Sequence, residues 1–390
     1  MSANTHRPYY YGIDLIRFAA ALMVACFHLG WSVSGPGSRG FALAGGALTL
    51  PFGRLFDWGT IGVEIFFVIS GFVIVNSAND STPFRFLRSR VERLYPAVWI
   101  CAPISLLVWI ISGVGSPADH LASFAHTLTL FPLGRWVDAP YWSLAHEVIF
   151  YGLVFLVMLT GNFRRLELLA VAICAVSATF WAVFIYSQLA HVTVPGLRFF
   201  SAHAGKMLMT FYGAFFALGV FIWLHRNGRL TTLGRIAAGI AVAVCLVRTS
   251  GIEWGAVSIR DVERTVVWLT GMGALLAASR FGAAGGTKNR LLGWLRNLGL
   301  ATYPLYLIHF ALGIWTMRLL VEHGASVTLA FFATLAMLTA LALWVALYAE
   351  PFGRRAIRGV FDAAEKALAR RRRLSRLLHR PGGVVISAAE

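Results

Sequence analysis

The chain has 390 residues, 58% hydrophobic and 13% charged, with a mean hydropathy of +0.70 and a formal net charge of +17. Soluble domains carry about 25% charged residues and rarely repeat apolar runs of about 20, so the composition points to a polytopic membrane protein. The charge does not indicate nucleic acid: 31 of the 34 basic residues are Arg, scattered in short clusters between apolar runs, which is a positive-inside pattern. Cys26, Cys101, Cys174 and Cys245 each sit alone in an apolar run, so neither a disulfide framework nor a metal site is expected.

Windows long enough to span about 30 Å predict ten membrane helices in an all-α fold. They fall near residues 11–31, 57–77, 93–112, 141–160, 166–187, 206–225, 232–249, 262–280, 298–320 and 326–349. The polar start MSANTHRPYY runs into the first segment, which ends without a small-residue cleavage site and reads as a retained helix. Assigning loops alternately puts 24 basic residues on one side, including Arg7, the arginines 85, 88, 90 and 93, and ten in the tail. Nine lie on the other side, and Arg17 lies within a helix. Both termini are therefore expected in the cytoplasm, with the chain as a multi-pass membrane protein. Residues 1–352 read as one transmembrane domain and 353–390 as a basic cytoplasmic tail. Ile357, Phe361, Ala364 and Leu368 recur there at helical spacing among arginines, fitting a helix on anionic lipid or a partner-binding segment.

Ionisable residues at membrane depth cost about 2.5 to 3.5 kcal/mol each and need a partner, a cavity or a function. The first segment, DLIRFAAALMVACFHLG, holds Asp14, Arg17 and His28. Eleven residues at 100° each return His28 to within about 20° of Arg17's face, about 16 Å further along. Asp14 stands one turn before Arg17 and can pair with it. In the second segment Glu64 lies near the outer side, with Ser70, Gly71 and Asn76 further in; the small residues suit close helix packing. FRFLRSRVERLYP then sets Arg85, Arg88, Arg90 and Arg93 at the cytoplasmic mouth, as a topology signal or as a phosphate cradle. The fourth segment opens APYWSLAHEVIFYG, where Ser143 and Glu147 share a face behind Trp142. Glu147 fits either a proton acceptor that orients a histidine or a bond to a neighbouring helix. The ninth segment, LATYPLYLIHF, carries Tyr303, Tyr306 and His309; an interhelical hydrogen bond is the plain alternative for that histidine.

These motifs resemble, in order and spacing, the type-3 membrane-bound acyltransferase family over roughly residues 9–352. Arg17 to His28 matches its Arg, ten residues, His element, and FFVISGF (Phe66–Phe72) its aromatic and glycine segment. Arg85–Pro96 matches the basic segment ending in Tyr-Pro, Trp142, Ser143, Leu144 and Glu147 the Trp-Ser-Leu element, and Thr302–His309 the late Tyr and Leu-Ile-His element.

The resemblance implies O-acylation of polysaccharides, other glycans or macrolides, with cytoplasmic acetyl-CoA or another short acyl-CoA as donor. No cofactor bound permanently is expected. A pantetheine arm of about 15 to 20 Å matches the Arg17–His28 rise. On this expectation Arg17 and the arginines 85, 88, 90 and 93 bind acyl-CoA. His28 is the general base or transient acyl carrier, assisted by Glu147, and Asp14, Glu64, Ser70, Trp142, Ser143, Tyr303 and His309 support the site. The expected acceptor is a carbohydrate, free or lipid-linked, with a macrolide or other small molecule as the alternative. Only about 40 residues follow Glu350, too few for a fused soluble esterase-like domain, so a stand-alone enzyme is expected. A proton-coupled transporter or flippase also uses intramembrane Arg, His and Glu. It predicts symmetric halves with matched broken helices.

Overall fold

The computed structural model describes residues 8–31, 33, 35–46, 48–251, 258–281, 283–284 and 290–378. Arg7, Lys288, Arg380 and the rest of the tail beyond residue 378, all used in the topology expectation, lie outside the described residues.

Helix α1 (Tyr11–Gly30) leads through a short α2 (Arg39–Leu43) and a 3₁₀ segment (Gly53–Thr60) into α3 (Ile61–Ala78). The next helix, α4 (Pro83–Ile111), begins well ahead of its apolar run. Thr82 caps it by accepting the Arg85 amide, and Pro83 occupies the first turn, where a missing N–H breaks no helical bond. The arginines at 85, 88, 90 and 93 are therefore helical. Next come α5 (Pro117–Thr129), between the third and fourth expected segments, and α6 (Trp142–Leu159). They are followed by α7 (Arg165–Leu189), the short α8 (Leu197–Ser201) and α9 (His203–Lys206), and α10 (Gly213–Arg226). Two longer helices, α11 (Thr232–Ser250) and α12 (Ile259–Ala278), complete the middle of the chain.

The ninth expected segment is interrupted: α13 (Arg290–Ile308) and α14 (Ala311–Glu322) meet at a 73° bend. Helix α15 (Val327–Trp344) passes through a π-helical turn at Val345–Ala349 into α16 (Glu350–Leu378), beside Pro351, which has no N–H for the α-helical ladder. A two-residue antiparallel pairing, β1 (Pro8–Tyr9) with β2 (Ala283–Ala284), joins the entry of α1 to the chain ahead of α13.

The molecule is an all-α polytopic bundle. Among the described residues seven helices are long and apolar enough to cross a membrane, or eight if the bent pair is one span. Two of the ten expected segments fall short of that standard for visible reasons. Helix α10 has only 14 residues, and the first turns of α12 carry Arg260, Asp261, Glu263 and Arg264.

In lipid, helices associate through close packing rather than the hydrophobic effect. The most intimate crossing, α3 on α10, rests on Gly71 and Gly219: a Cβ on either would collide with the carbonyl of Phe216 or Val68 on the other helix. Gly62 brings α3 onto α1 in the same way, against the Ala20 carbonyl. Helix α1 is also packed by α13 and the 3₁₀ segment, so its polar face looks into the bundle.

Candidate active site

Two polar stations lie along α1. At the first, Arg17 lines a cavity of about 50 Å³ with Ser70, Ser143, Glu147, Thr302, Tyr303 and Tyr306, closed on its apolar side by Val63, Phe66, Phe67 and Leu144. Four helices thus converge there, α1, α3, α6 and α13, each contributing a segment that the sequence marks as polar within an apolar run. Such a volume admits a few waters but not an acyl-pantetheine arm, so entry of an arm requires these side chains to part. Glu147 accepts the Tyr151 hydroxyl at 2.5 Å, and the Ser70 hydroxyl approaches it at 3.5 Å. Arg17 makes no hydrogen bond or ion pair among the described residues. Asp14, expected as its ion-pair partner, instead accepts the Tyr9 hydroxyl at 2.6 Å, because the guanidinium turns toward the cavity. Arg93 lies within electrostatic range of Arg17, Glu147 and Asp14, and likewise makes no hydrogen bond or ion pair among the described residues.

The second station is a histidine pair. His28 Nδ1 lies 2.9 Å from His309 Nε2, and His309 Nδ1 lies 2.8 Å from the Tyr306 carbonyl. A carbonyl can only accept, so in the neutral pair His309 carries its proton on Nδ1 and presents the Nε2 lone pair. His28 then donates from Nδ1, with the Val24 carbonyl one turn back on α1 also bonded to its ring, and in this neutral tautomer the lone pair is on Nε2. Neutral imidazoles in this relay avoid burying a carboxylate beside the base. Glu147, expected to assist His28, is not bonded to it; the turn of α6 directs its carboxylate to Tyr151 and Ser70.

A residue not expected from the sequence holds this pair in place. Asp138, fully buried just ahead of α6, accepts the Ala311 amide at 3.1 Å, the Ser105 hydroxyl at 3.0 Å and the Ala139 amide at 2.8 Å. Ala311 is the first residue of α14, so the carboxylate satisfies an orphan amide and meets the positive end of that helix two residues beyond His309. Tyr306 is a second tie: its carbonyl fixes His309, and its hydroxyl bonds Ser143 at 2.8 Å. The signal for Asp138 was present in the sequence as an Asp before the helix start APYW, a capping position. Its partner on α14 lies 173 positions away.

The remaining expected site residues are elsewhere engaged. Trp142 packs with His146, Tyr212 and Phe67 in an aromatic cluster. The Tyr303 hydroxyl, besides lining the Arg17 cavity, reaches the Leu94 carbonyl at 3.4 Å. Glu64 pairs with Arg248 at 3.5 Å, next to a network in which Asp57 meets Arg264 at 3.0 Å and Arg260 at 3.8 Å. The four arginines of α4 divide. Arg93 faces inward, Arg90 lies over the Phe86 and Tyr151 rings, and Arg85 is exposed. Arg88 is taken up by acids: Glu92 at 2.9 Å, Asp362 at 2.7 Å and Glu365 at 3.6 Å. With the Glu92–Arg358 pair at 2.8 Å, these contacts clasp α16 onto α4 and bury Ile357. No group of three or more His, Cys, Asp or Glu among the described residues could hold a metal ion.

Comparison with known proteins bears directly on this constellation. The sequence profile of the Acyltransferase domain family, Acyl_transf_3, matches residues 10–349, from the entry of α1 to the π-helical turn. A protein of Komagataeibacter xylinus named as a membrane-bound transacylase, BcsY, is 26% identical over 261 residues, 60% of this chain and 56% of that protein. The exopolysaccharide production protein ExoZ of Rhizobium meliloti (strain 1021) is 30% identical over 108 residues, 25% of this chain and 34% of that protein. The chain thus matches about half and about a third of the length of these relatives. No solved structure matches it. With nearly the whole bundle matched, and both stations of α1 inside the match, the chain belongs to the Acyl_transf_3 acyltransferase family.

Proposed function

We propose that this protein transfers an acetyl or other short acyl group from acyl-CoA to a hydroxyl of a cell-surface or exported polysaccharide. The observation that carries the assignment is the His28–His309–Tyr306 relay, which leaves a basic Nε2 on His28 at the end of α1 opposite Arg17. In the reaction, His28 Nε2 removes the proton of the acceptor hydroxyl as its oxygen attacks the thioester carbonyl carbon. The carbon–sulfur bond then breaks, and the CoA thiolate recovers the proton from the His28 imidazolium. Arg17 and Arg93, which make no hydrogen bond or ion pair among the described residues, bind the anionic or carbonyl groups of the donor, with Arg90 and Arg85 nearer the mouth.

The family match supports acyl transfer, and the exopolysaccharide role in the name of one relative supports a carbohydrate acceptor. The basic-residue asymmetry supports a cytoplasmic α4 mouth, cytoplasmic termini and residence in a bacterial inner membrane. A transporter of the inverted-repeat type pairs each broken helix with a counterpart in its other half. One bent pair is found among the described residues.

The test is thioester cleavage. Purified protein in lipid nanodiscs, given acetyl-CoA and the polysaccharide of its own host, is expected to release free CoA and to label the glycan. Glycan labelling by wild type that persists in a His28→Ala variant would remove His28 from the reaction, and no CoA release under any glycan would remove the transferase.

A further inference from the structure

A second pocket, of about 480 Å³, lies at the far end of α4 from its arginines, and no part of the site described above fills it. Two of its lining residues belong to the supports of the histidine pair. Asp138 caps α14 just past His309, and Trp142 precedes Ser143, whose hydroxyl bonds Tyr306. The pocket floor is therefore one hydrogen bond or one peptide link from the elements that hold His309 against His28.

Its lining sets two guanidiniums, Arg39 and Arg135, against two carboxylates, Asp119 and Asp138, of which Asp138 is buried and already bonded to Ala311, Ala139 and Ser105. Trp136 and Trp142 contribute indoles, and Asp119 contributes an exposed carboxylate able to accept from sugar hydroxyls. Arg39 and Arg135 are exposed guanidiniums that make no hydrogen bond or ion pair among the described residues. Arg39 is held over the Trp109 ring at 4.3 Å, which orients its fork without consuming its donors. A neutral hexose gives such donors only hydroxyls to meet, whereas a carboxylate accepts a planar fork in two parallel bonds. The volume falls within the range of about 300 to 1,000 Å³ usual for small-ligand sites, enough for one or two sugar residues.

We infer that this pocket binds the acceptor, and that the unit it takes is an acidic sugar whose carboxylate is held by Arg39 and Arg135. The inference rests on the transferase assignment above, since it names the acceptor side of that reaction.

The test reads binding without any acyl-CoA. Saturation-transfer NMR on the full-length protein in nanodiscs would compare methyl β-D-glucuronide, methyl β-D-glucoside and glycerol 1-phosphate. The glucuronide is expected to bind at least about tenfold more tightly than the glucoside, the effect of one or two charge-assisted hydrogen bonds. The Arg39→Gln/Arg135→Gln variant is expected to bring the two sugars within about twofold of each other. Arg135→Lys, which keeps the charge and loses the fork, should fall between, and it carries the test if the double variant does not fold. Equal binding of both sugars to wild type overturns the inference. So does a preference that survives in a double variant melting like wild type, and so does glycerol 1-phosphate binding as tightly as the glucuronide, which would make this an anion site rather than a glycan site. CoA release without glucuronide binding would remove the pocket and leave the transferase. Glucuronide binding without CoA release from any glycan would do the reverse.

Discussion

Two groups of charge inside the bundle are built on different plans. In the first, carboxylates and guanidiniums close on one another: Asp57 with Arg264 at 3.0 Å and Arg260 at 3.8 Å, Glu64 with Arg248 at 3.5 Å. In the second, Arg17 and Arg93 share a neighbourhood with Glu147, yet neither forms a hydrogen bond or ion pair among the described residues. A buried charge is tolerated when its partner is built in, and a charge whose donors stay open is positioned for something that arrives. The closed group is scaffold and the open group is site. The histidine pair belongs with the open group, because it is joined through neutral imidazoles and the Tyr306 carbonyl rather than through paired charges.

The largest effect should come from the end of that relay. His28→Ala is expected to lower acyl transfer by about 10² to 10⁴, the usual contribution of a histidine base, with the helical content unchanged by circular dichroism. His309→Ala should cost less, since His28 keeps its basic nitrogen and loses only its orienting acceptor. Equal loss in the two variants would mean that His309 touches the reacting atoms itself.

The closed group should fail by unfolding rather than by inactivity. Arg248→Met leaves Glu64 buried without its cation, and the loss of thermal stability in detergent is expected to be on the order of 3 kcal/mol. The double variant Glu64→Gln/Arg248→Met should recover most of it, because no bare charge is left behind. If the single variant melts like wild type but loses acyl-CoA affinity, Arg248 belongs to the site instead.

Asp138 joins the two plans, as a scaffold carboxylate whose bonds fix a catalytic element. Asp138→Asn keeps one acceptor oxygen but puts an amide where a second oxygen accepted, at an expected cost of about 1 to 3 kcal/mol. Burial, the dominant influence on it, raises the carboxyl to about 6, against the donors that Ala311, Ala139 and Ser105 supply to the anion. The folded protein therefore holds this proton more tightly than the unfolded chain. The stability it contributes is full below about pH 4 and is lost as the pH rises through about 6. Thermal melts of the Asn variant across that window should lack this part of the slope, and an unchanged slope would assign it to another group.

Much of the scaffold was legible in the sequence because each helix announces itself locally. The apolar windows located the spanning helices, and the Arg17 to His28 spacing placed both stations on one face of α1. Thr82 and Pro83 explain why α4 outruns its apolar run, a capping effect that window hydropathy does not register. The contacts that define the site were not legible, because they join residues 281 positions apart for His28 and His309, and 173 for Asp138 and Ala311. Periodicity assigns a face to each residue and says nothing of which face it meets. Glu147 shows the cost: its depth suggested a partnership with His28, while the i, i+4 spacing on α6 gives its carboxylate to Tyr151.

The smallest effects discriminate among the α4 arginines, which the sequence presents as one basic cluster. Arg17→Lys keeps a charge but not a planar fork, and the acyl-CoA KM is expected to rise about tenfold with kcat less affected. Arg93→Gln should act in the same sense. Arg88 is different in kind, since Glu92, Asp362 and Glu365 already occupy its donors in clasping α16. Exposed ion pairs of this sort contribute little, so Arg88→Gln is expected to leave the KM within about twofold of wild type. What should change is the protection of α16, read as faster protease cleavage between residues 358 and 365, where the helix loses its hold on α4. A KM shift in Arg88→Gln as large as in Arg93→Gln would merge the two kinds of arginine again, and with them the distinction between charges that close the fold and charges kept open for a ligand.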